Sequence, residues 1–542
     1  MRLVYLGIGS ILATIAFANP FINLDDATVA GFEDGSVSKF LGIPYAQPPV
    51  GPLRLRRTQE LTRYKGHVNA TAYGPACPQQ KINNPFDKSL STFMELTSHQ
   101  SEDCLTINVL RPSVMPAGKQ LPVVVFIYGG GFQIGDTAGN DDLVTRIVKR
   151  SVELSQPIIL AHMNYRLSAL GFLGGKEVHN EDIGNLGLVD QRTALRWVQK
   201  YIGQFGGDKS KVTLWGQSAG ATSIVMQMLA YGGATEDLFH AAFMQSGATL
   251  PFGSILDGQA HYDFIVEKTG CQGSMNTLDC LRGVDYHVFK EAMDATPNIF
   301  SYNVRDSVLI LYSSVQMYDP LVLDPHVSAS RRRYIRQVLL LSVRDSTLIF
   351  ALSGNCDDEG TLFSFSTQNI TTEDQFRTYI RDMWFPKVPS KELQPLWSLY
   401  TSNAKDGSPF DTDNRNALTP QFKRLASFQG DAIFHSQRRP FFNGLSGRQN
   451  IWSYLTKQLK STEYFGSYHG SELKVNLTDD YLVNFVNHHN PNTAEAPFWP
   501  EYTAENPQLY TFPESGSPII TLDNFRAEPI SFLSETFEKY PI

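Results

Sequence analysis

Apolar, β-branched runs that end in glycine and pass into helical periodicity recur along this chain. They predict an α/β protein whose strands lie buried in a largely parallel sheet. Pro122–Phe132 (PVVVFIYGGGF) reads as a strand entering a glycine loop, and Pro157–Arg166 (PIILAHMNYR) as a second strand. Lys211–Ala230 (KVTLWGQSAGATSIVMQMLA) reads as a third strand followed by a helix. Between them, Asp190–Phe205 sets Leu195, Val198 and Ile202 on one face at helical spacing, which predicts a helix packed on the sheet. No internal repeat, low-complexity tract or heptad pattern interrupts this order.

Composition adds a large core and removes one class of partner. The 542 residues are 42% hydrophobic, 12% aromatic and 18% charged, far from a disordered chain. Lys and Arg number 46 against 54 Asp and Glu, a formal charge of −8. A basic nucleic-acid binder is excluded, since it needs clustered positive charge to displace counterions. Residues 1–18 carry Arg2, an apolar stretch and the small-residue triplet Ala16-Phe17-Ala18, which predicts a secretory signal peptide cleaved before Asn19. No later apolar run approaches the roughly 20 residues of a membrane span. The sequons at Asn69, Asn369 and Asn476 fit an extracytoplasmic route and a glycoprotein. So do the cysteines: Cys77 with Cys104 and Cys271 with Cys280 could each close a short disulfide loop. Cys356 is left over, either a buried inert thiol or a reactive one.

The chemistry concentrates in Gly216-Gln217-Ser218-Ala219-Gly220. This G-x-S-x-G pattern follows the apolar strand Val212–Trp215 and opens an apolar helix, the context in which a tight strand-to-helix turn exposes a nucleophilic serine. A serine nucleophile in acyl transfer needs donors for an oxyanion, each worth on the order of 3 kcal/mol. Tyr128-Gly129-Gly130-Gly131-Phe132 supplies a loop without side chains, so the amides of Gly130 and Gly131 can join that of Ala219.

Beyond these motifs the chain resembles the type-B carboxylesterases and lipases of the α/β-hydrolase fold, a family that includes cholinesterases and secreted fungal lipases. The resemblance rests on an ordered set: Phe40–Ala46, Pro48–Gly51, Ser101–Leu105, Tyr128–Phe132, Asn164-Tyr165-Arg166, Asp190-Gln191, Phe205–Asp208, the serine motif, Asn490-Pro491-Asn492 and Trp499-Pro500. It implies one large catalytic domain over residues 19–542, built on a central, mostly parallel sheet flanked by helices. The family's acid lies in an Asp-Glu-Gly turn, matched by Asp358-Glu359-Gly360, and its histidine in a His-Gly loop, matched by His469-Gly470. By resemblance His469 is then the general base and Glu359 its orienting acid, in the chain order Ser, Glu, His.

The resemblance also implies that Cys77–Cys104 closes a loop beside the active-site gorge, a movable flap in lipase relatives. Its Phe86, Leu90, Phe93, Met94 and Leu96 offer apolar surface for an acyl site or a transient lipid contact. That loop holds no tryptophan, and Gln217 stands where many relatives carry Glu; both argue against a cholinesterase, whose cationic substrate needs an aromatic face and negative charge. One stretch departs from the family. No glycine occurs between Gly283 and Gly354 in a chain with 41, and Arg331-Arg332-Arg333 sits inside the gap. Residues from about 305 to 352 therefore read as either an out-of-frame or unspliced piece of the gene or a divergent insertion.

The expected function is a secreted serine carboxylic ester hydrolase, a carboxylesterase or lipase acting on uncharged esters or acylglycerols through an acyl-enzyme, with no metal or organic cofactor. The alternative is a catalytically inactive binding or adhesion member of the same fold, whose hallmark would be a replaced serine or histidine.

Overall fold

The computed structural model describes residues 19–81, 99–250, 253–296, 349–494 and 496–541. The leader 1–18, the apolar interior of the Cys77–Cys104 loop and most of the atypical stretch, through residue 348, lie outside the described residues.

Among the described residues fourteen strands follow in chain order: β1 (Phe21–Leu24), β2 (Asp26–Ala30), β3 (Phe32–Asp34), β4 (Val37–Pro44), β5 (Lys65–Asn69), β6 (Thr106–Pro112), β7 (Leu121–Ile127), β8 (Ile159–Met163), β9 (Gly207–Gln217), β10 (Ala241–Gln245), β11 (Phe350–Cys356), β12 (Ile451–Thr456), β13 (Gln508–Phe512) and β14 (Ile519–Leu522). Strands β1, β2 and β5 form a small sheet of three. The other strands form an 11-stranded sheet in the order β3-β4-β6-β8-β7-β9-β10-β11-β12-β13-β14. From β8 to β13 every neighbouring pair is parallel, while β3, β4 and β6 at one edge and β14 at the other run antiparallel. This is the mostly parallel sheet expected of an α/β hydrolase.

The apolar runs do not alternate because both faces of the central strands are covered. Val123, Val124 and Val125 of β7 and Ile159, Leu160 and Ala161 of β8 are fully buried. Helices supply the cover, among them Asp141–Glu153, Leu186–Tyr201, the helix opening at Ala219, and Asp479–His488. The helix predicted from Asp190 in fact begins at Leu186 and tightens into a 3₁₀ turn over Ile202–Phe205. Leu195, Val198 and Ile202 are wholly buried, as their spacing requires.

One boundary matters for the site. Phe350, Ala351 and Leu352, assigned from sequence to the atypical stretch, are the first residues of β11 and pair with β10 and, from Ala351, with β12. The strand that leads to Glu359 is therefore in full register with both neighbours. Disulfides join Cys77 to Cys104 and Cys271 to Cys280.

Candidate active site

The glycine-loop, serine, acid and histidine motifs emerge at the carboxyl ends of the parallel strands, where α/β sheets present their ligand sites. Tyr128–Gly131 follows β7, Ser218 follows β9, Glu359 follows β11, and His469 lies in the loop beyond β12.

Ser218 adopts φ 57°, ψ −125°, a conformation that costs a non-glycine residue on the order of 1–3 kcal/mol and persists only where the surroundings enforce it. The turn is enforced by close backbone approach. A Cβ at Gly216 would lie 2.6 Å from the carbonyl of Gly220, and one at Gly220 would lie 1.9 Å from Ile127 O. The Ser218 amide is tied to Gln245 O of β10 at 2.8 Å. With the backbone held on both sides, the side chain points into a cavity of about 440 Å³.

The same cavity is lined by Gly130, Gly131 and Ala219. Gly130, at φ 107°, has no room for a Cβ, which would meet Ile134 O at 2.3 Å. Its carbonyl instead accepts from the amides of Gln133 and Ile134, each at 3.1 Å, which fixes the loop. Ala219 opens its helix, so its N–H has no partner within that helix.

His469 Nδ1 lies 2.6 Å from Glu359 Oε2, with the imidazole 7% and the carboxyl 1% exposed. The other oxygen of Glu359 accepts from the Cys356 amide at 2.8 Å and from Asn355 Nδ2 at 3.2 Å. Asn355 is in turn fixed by Arg438 Nε at 2.7 Å. A carboxylate only accepts, so this arrangement puts the ring proton on Nδ1 and leaves Nε2 as an acceptor. Nε2 faces Gln217 Nε2 at 3.3 Å. Ser218 Oγ makes no hydrogen bond among the described residues, so the resting imidazole meets the neighbouring amide rather than the hydroxyl.

Two phenyl rings complete the surroundings of the histidine. The Phe434 and Phe363 centroids lie 4.6 and 5.3 Å from the imidazole and 5.8 Å from each other. With Leu250, Leu362 and Ile433 they make one part of the cavity wall apolar, while Gln79, Asp136 and Asn140 make another part polar. Cys356 is buried, and its Sγ lies 2.8 Å from Glu472 Oε2. Burial first, then the Glu472 and Glu359 carboxyls, pushes this thiol well up, which makes it the inert alternative of the two left open by its sequence.

Sequence reasoning did not find Gln217 as a partner of His469, nor Phe363 and Phe434. Phe363 lies only four residues after Glu359 and was within reach of the motif. Phe434 stands in a helical stretch with no motif, and only the fold brings it to the histidine.

The fold and this arrangement of serine, histidine, acid and amides define a serine hydrolase on an α/β-hydrolase sheet. Residues 18–479 match the Carboxylesterase family, and the chain belongs to it. The chain is 33% identical to a secreted triacylglycerol lipase of Gibberella zeae, over 95% of this chain and 90% of the relative. It is 34% identical to a secreted lipase of Botryotinia fuckeliana (96% and 92% covered) and 33% identical to a lipase of Diutina rugosa (98% of each). Among solved structures, EstA of Aspergillus niger superposes with a TM-score of 0.73 at 26% identity, over 96% of this chain and 99% of that one. A PNB esterase superposes at 0.74 and 23% identity, covering 95% and 100%, and shows the shared fold. The chain is a carboxylic ester hydrolase.

Proposed function

We propose that the protein hydrolyses uncharged carboxylic esters, acylglycerols included, through an acyl-enzyme on Ser218. The observation that carries this reading is the 2.6 Å His469–Glu359 contact, whose histidine lines the same cavity as Ser218, Gly130, Gly131 and Ala219. For the base to act, the Gln217 amide yields Nε2 to Ser218. Ser218 Oγ then bonds to the ester carbon as its proton passes to His469 Nε2, and the oxyanion takes hydrogen bonds from the three amides. Glu359 holds the tautomer and stabilises the imidazolium, which returns the proton to the departing alkoxide. Water, activated by the same imidazole, attacks the acyl carbon, and the acid leaves with Ser218 restored.

The apolar wall of Leu250, Leu362, Phe363, Ile433 and Phe434 favours an acyl chain over a charged group. The names of the relatives widen the substrate class from simple esters to lipids, with lipid-interface contact expected from the apolar residues of the Cys77–Cys104 loop. Secretion after removal of residues 1–18 is supported by the secreted relatives, and no helix among the described residues is long and apolar enough to cross a membrane. Asn69, Asn369 and Asn476 are all exposed, as N-glycosylation requires.

The test is turnover of a series of p-nitrophenyl and glyceryl esters by wild type and Ser218→Ala. Wild type is expected to turn over uncharged esters, and Ser218→Ala to lose roughly 10⁶-fold in kcat. Equal turnover by the two proteins would overturn the reading. Comparing dissolved with emulsified ester at equal concentration separates a carboxylesterase from an interfacial lipase.

A further inference from the structure

The residue next to the acid carries more hydrogen bonds than the acid itself. Asp358 is wholly buried, and both of its oxygens are saturated. Oδ1 accepts from Ser408 Oγ at 2.9 Å and from the Phe410 amide at 2.8 Å. Oδ2 accepts from the Ser467 amide at 2.9 Å and from Lys460 Nζ at 2.7 Å. These four donors come from separate stretches of chain: the 408–410 turn, the lysine beyond β12, and the loop that carries the histidine two residues after Ser467.

The backbone repeats the connection. The Asp358 amide donates to Ser467 O at 2.9 Å, and Asp358 forms a parallel bridge with Tyr468. The histidine loop also crosses the carboxylate without slack. At Gly466, φ 61°, a Cβ would lie 2.3 Å from Asp358 Oδ2. Lys460 extends the clamp to Asp357 Oδ2 at 2.6 Å. The acid turn and the histidine loop are thus joined at Asp358, immediately beside the Glu359–His469 contact.

We propose that Asp358 is a positioning residue for catalysis: its carboxylate clamps the His469 loop to the acid turn and so sets the separation of Glu359 from His469. This rests on the reading of Glu359 and His469 as the catalytic pair. Asp358 does not touch His469 or substrate; it acts by removing freedom from the two segments that must meet. A misplacement of about 1 Å between such groups costs on the order of a hundredfold in rate. Asp358→Asn keeps size and shape but replaces one acceptor oxygen by a donor, which cannot serve the Ser467 amide and Lys460, or in the flipped orientation the Phe410 amide.

The experiment measures kcat, KM and the fraction of active sites by phosphonate titration for Asp358→Asn, Ser408→Ala, Glu359→Gln and wild type on one soluble ester. Asp358→Asn is expected to lose roughly a hundredfold in kcat per titrated site, with KM changed less than about threefold. Ser408→Ala, which removes a single donor, is expected to lose severalfold in kcat in the same pattern, and it decides the matter if Asp358→Asn does not fold. A variant that loses active fraction or thermal stability while each titrated site keeps wild-type kcat would assign Asp358 to folding alone and overturn the proposal. If Glu359→Gln keeps full turnover, the catalytic reading fails instead. If Glu359→Gln is inactive while Asp358→Asn and Ser408→Ala keep wild-type kcat, only the clamp fails.

Discussion

Ser218 stores backbone strain that Gly216, Gly220 and the Gln245 carbonyl enforce from three sides. The residue before it decides what the histidine meets at rest. Gln217 offers an amide N–H to His469 Nε2 at 3.3 Å, so that contact is made only with an unprotonated nitrogen. A carboxylate at this position would instead favour a proton on Nε2. Gln217→Glu is therefore expected to move the acid limb of kcat/KM to higher pH, by up to about one unit, with little change at alkaline pH. A pH profile on a neutral ester checks this, and an unmoved acid limb would show that the amide does not govern the base. At this scale the serine turn and the glycine loop were legible because local backbone geometry demands their residue types in a short span. The Gln217–His469 contact was not, because its partners lie 252 residues apart and nothing local to either encodes the meeting.

Among elements, the helix Leu186–Tyr201 shows why a boundary read from sequence slips. Asp190 reads as a helix start, yet its carboxylate is wholly buried and spent on Arg166, which it meets through Nε and Nη2 at 2.8 Å each. Thr58 Oγ1 donates to the same group. An acid committed to an ion pair cannot cap, so the helix runs back to Leu186. The two motifs that contain Arg166 and Asp190 are read separately in the sequence, and the fold explains them as one bond between the end of β8 and this helix. Asp190→Asn leaves the guanidinium buried without its counter-charge and is expected to cost about 3–5 kcal/mol in denaturant unfolding. A loss below 1 kcal/mol would contradict that account. Strand β11 slipped for another reason: a central strand covered on both faces has no alternation, so Phe350–Leu352 carried no signal to separate them from the residues before them.

For the whole molecule, the parallel core was legible from its glycine-ended apolar runs, whereas the antiparallel edges and the sheet order were not, since pairing partners are far apart in the chain. The distant parts are also tied by buried charge. Asp523 meets Arg438 Nη2 and Arg439 Nε at 2.9 Å each. Burial works to raise its carboxyl, but the two guanidinium groups outweigh burial and hold it below the ordinary Asp value. A carboxyl lowered in the folded state stabilises above its unfolded value, about 3.9, and that stability is lost as pH falls through the lower folded value. Wild type is thus expected to lose stability below about pH 4, and Asp523→Asn to be less stable at neutral pH with a flatter dependence in acid. Urea midpoints from pH 3 to 7 check both. The central claim, that one serine is activated by the distant histidine–acid pair, is met most directly by treating the purified protein with an aryl phosphonate and mapping its peptides. A single adduct is expected on the peptide containing Ser218, abolished in His469→Ala. Folded protein that stays unlabelled at Ser218, or that labels equally without His469, would contradict it.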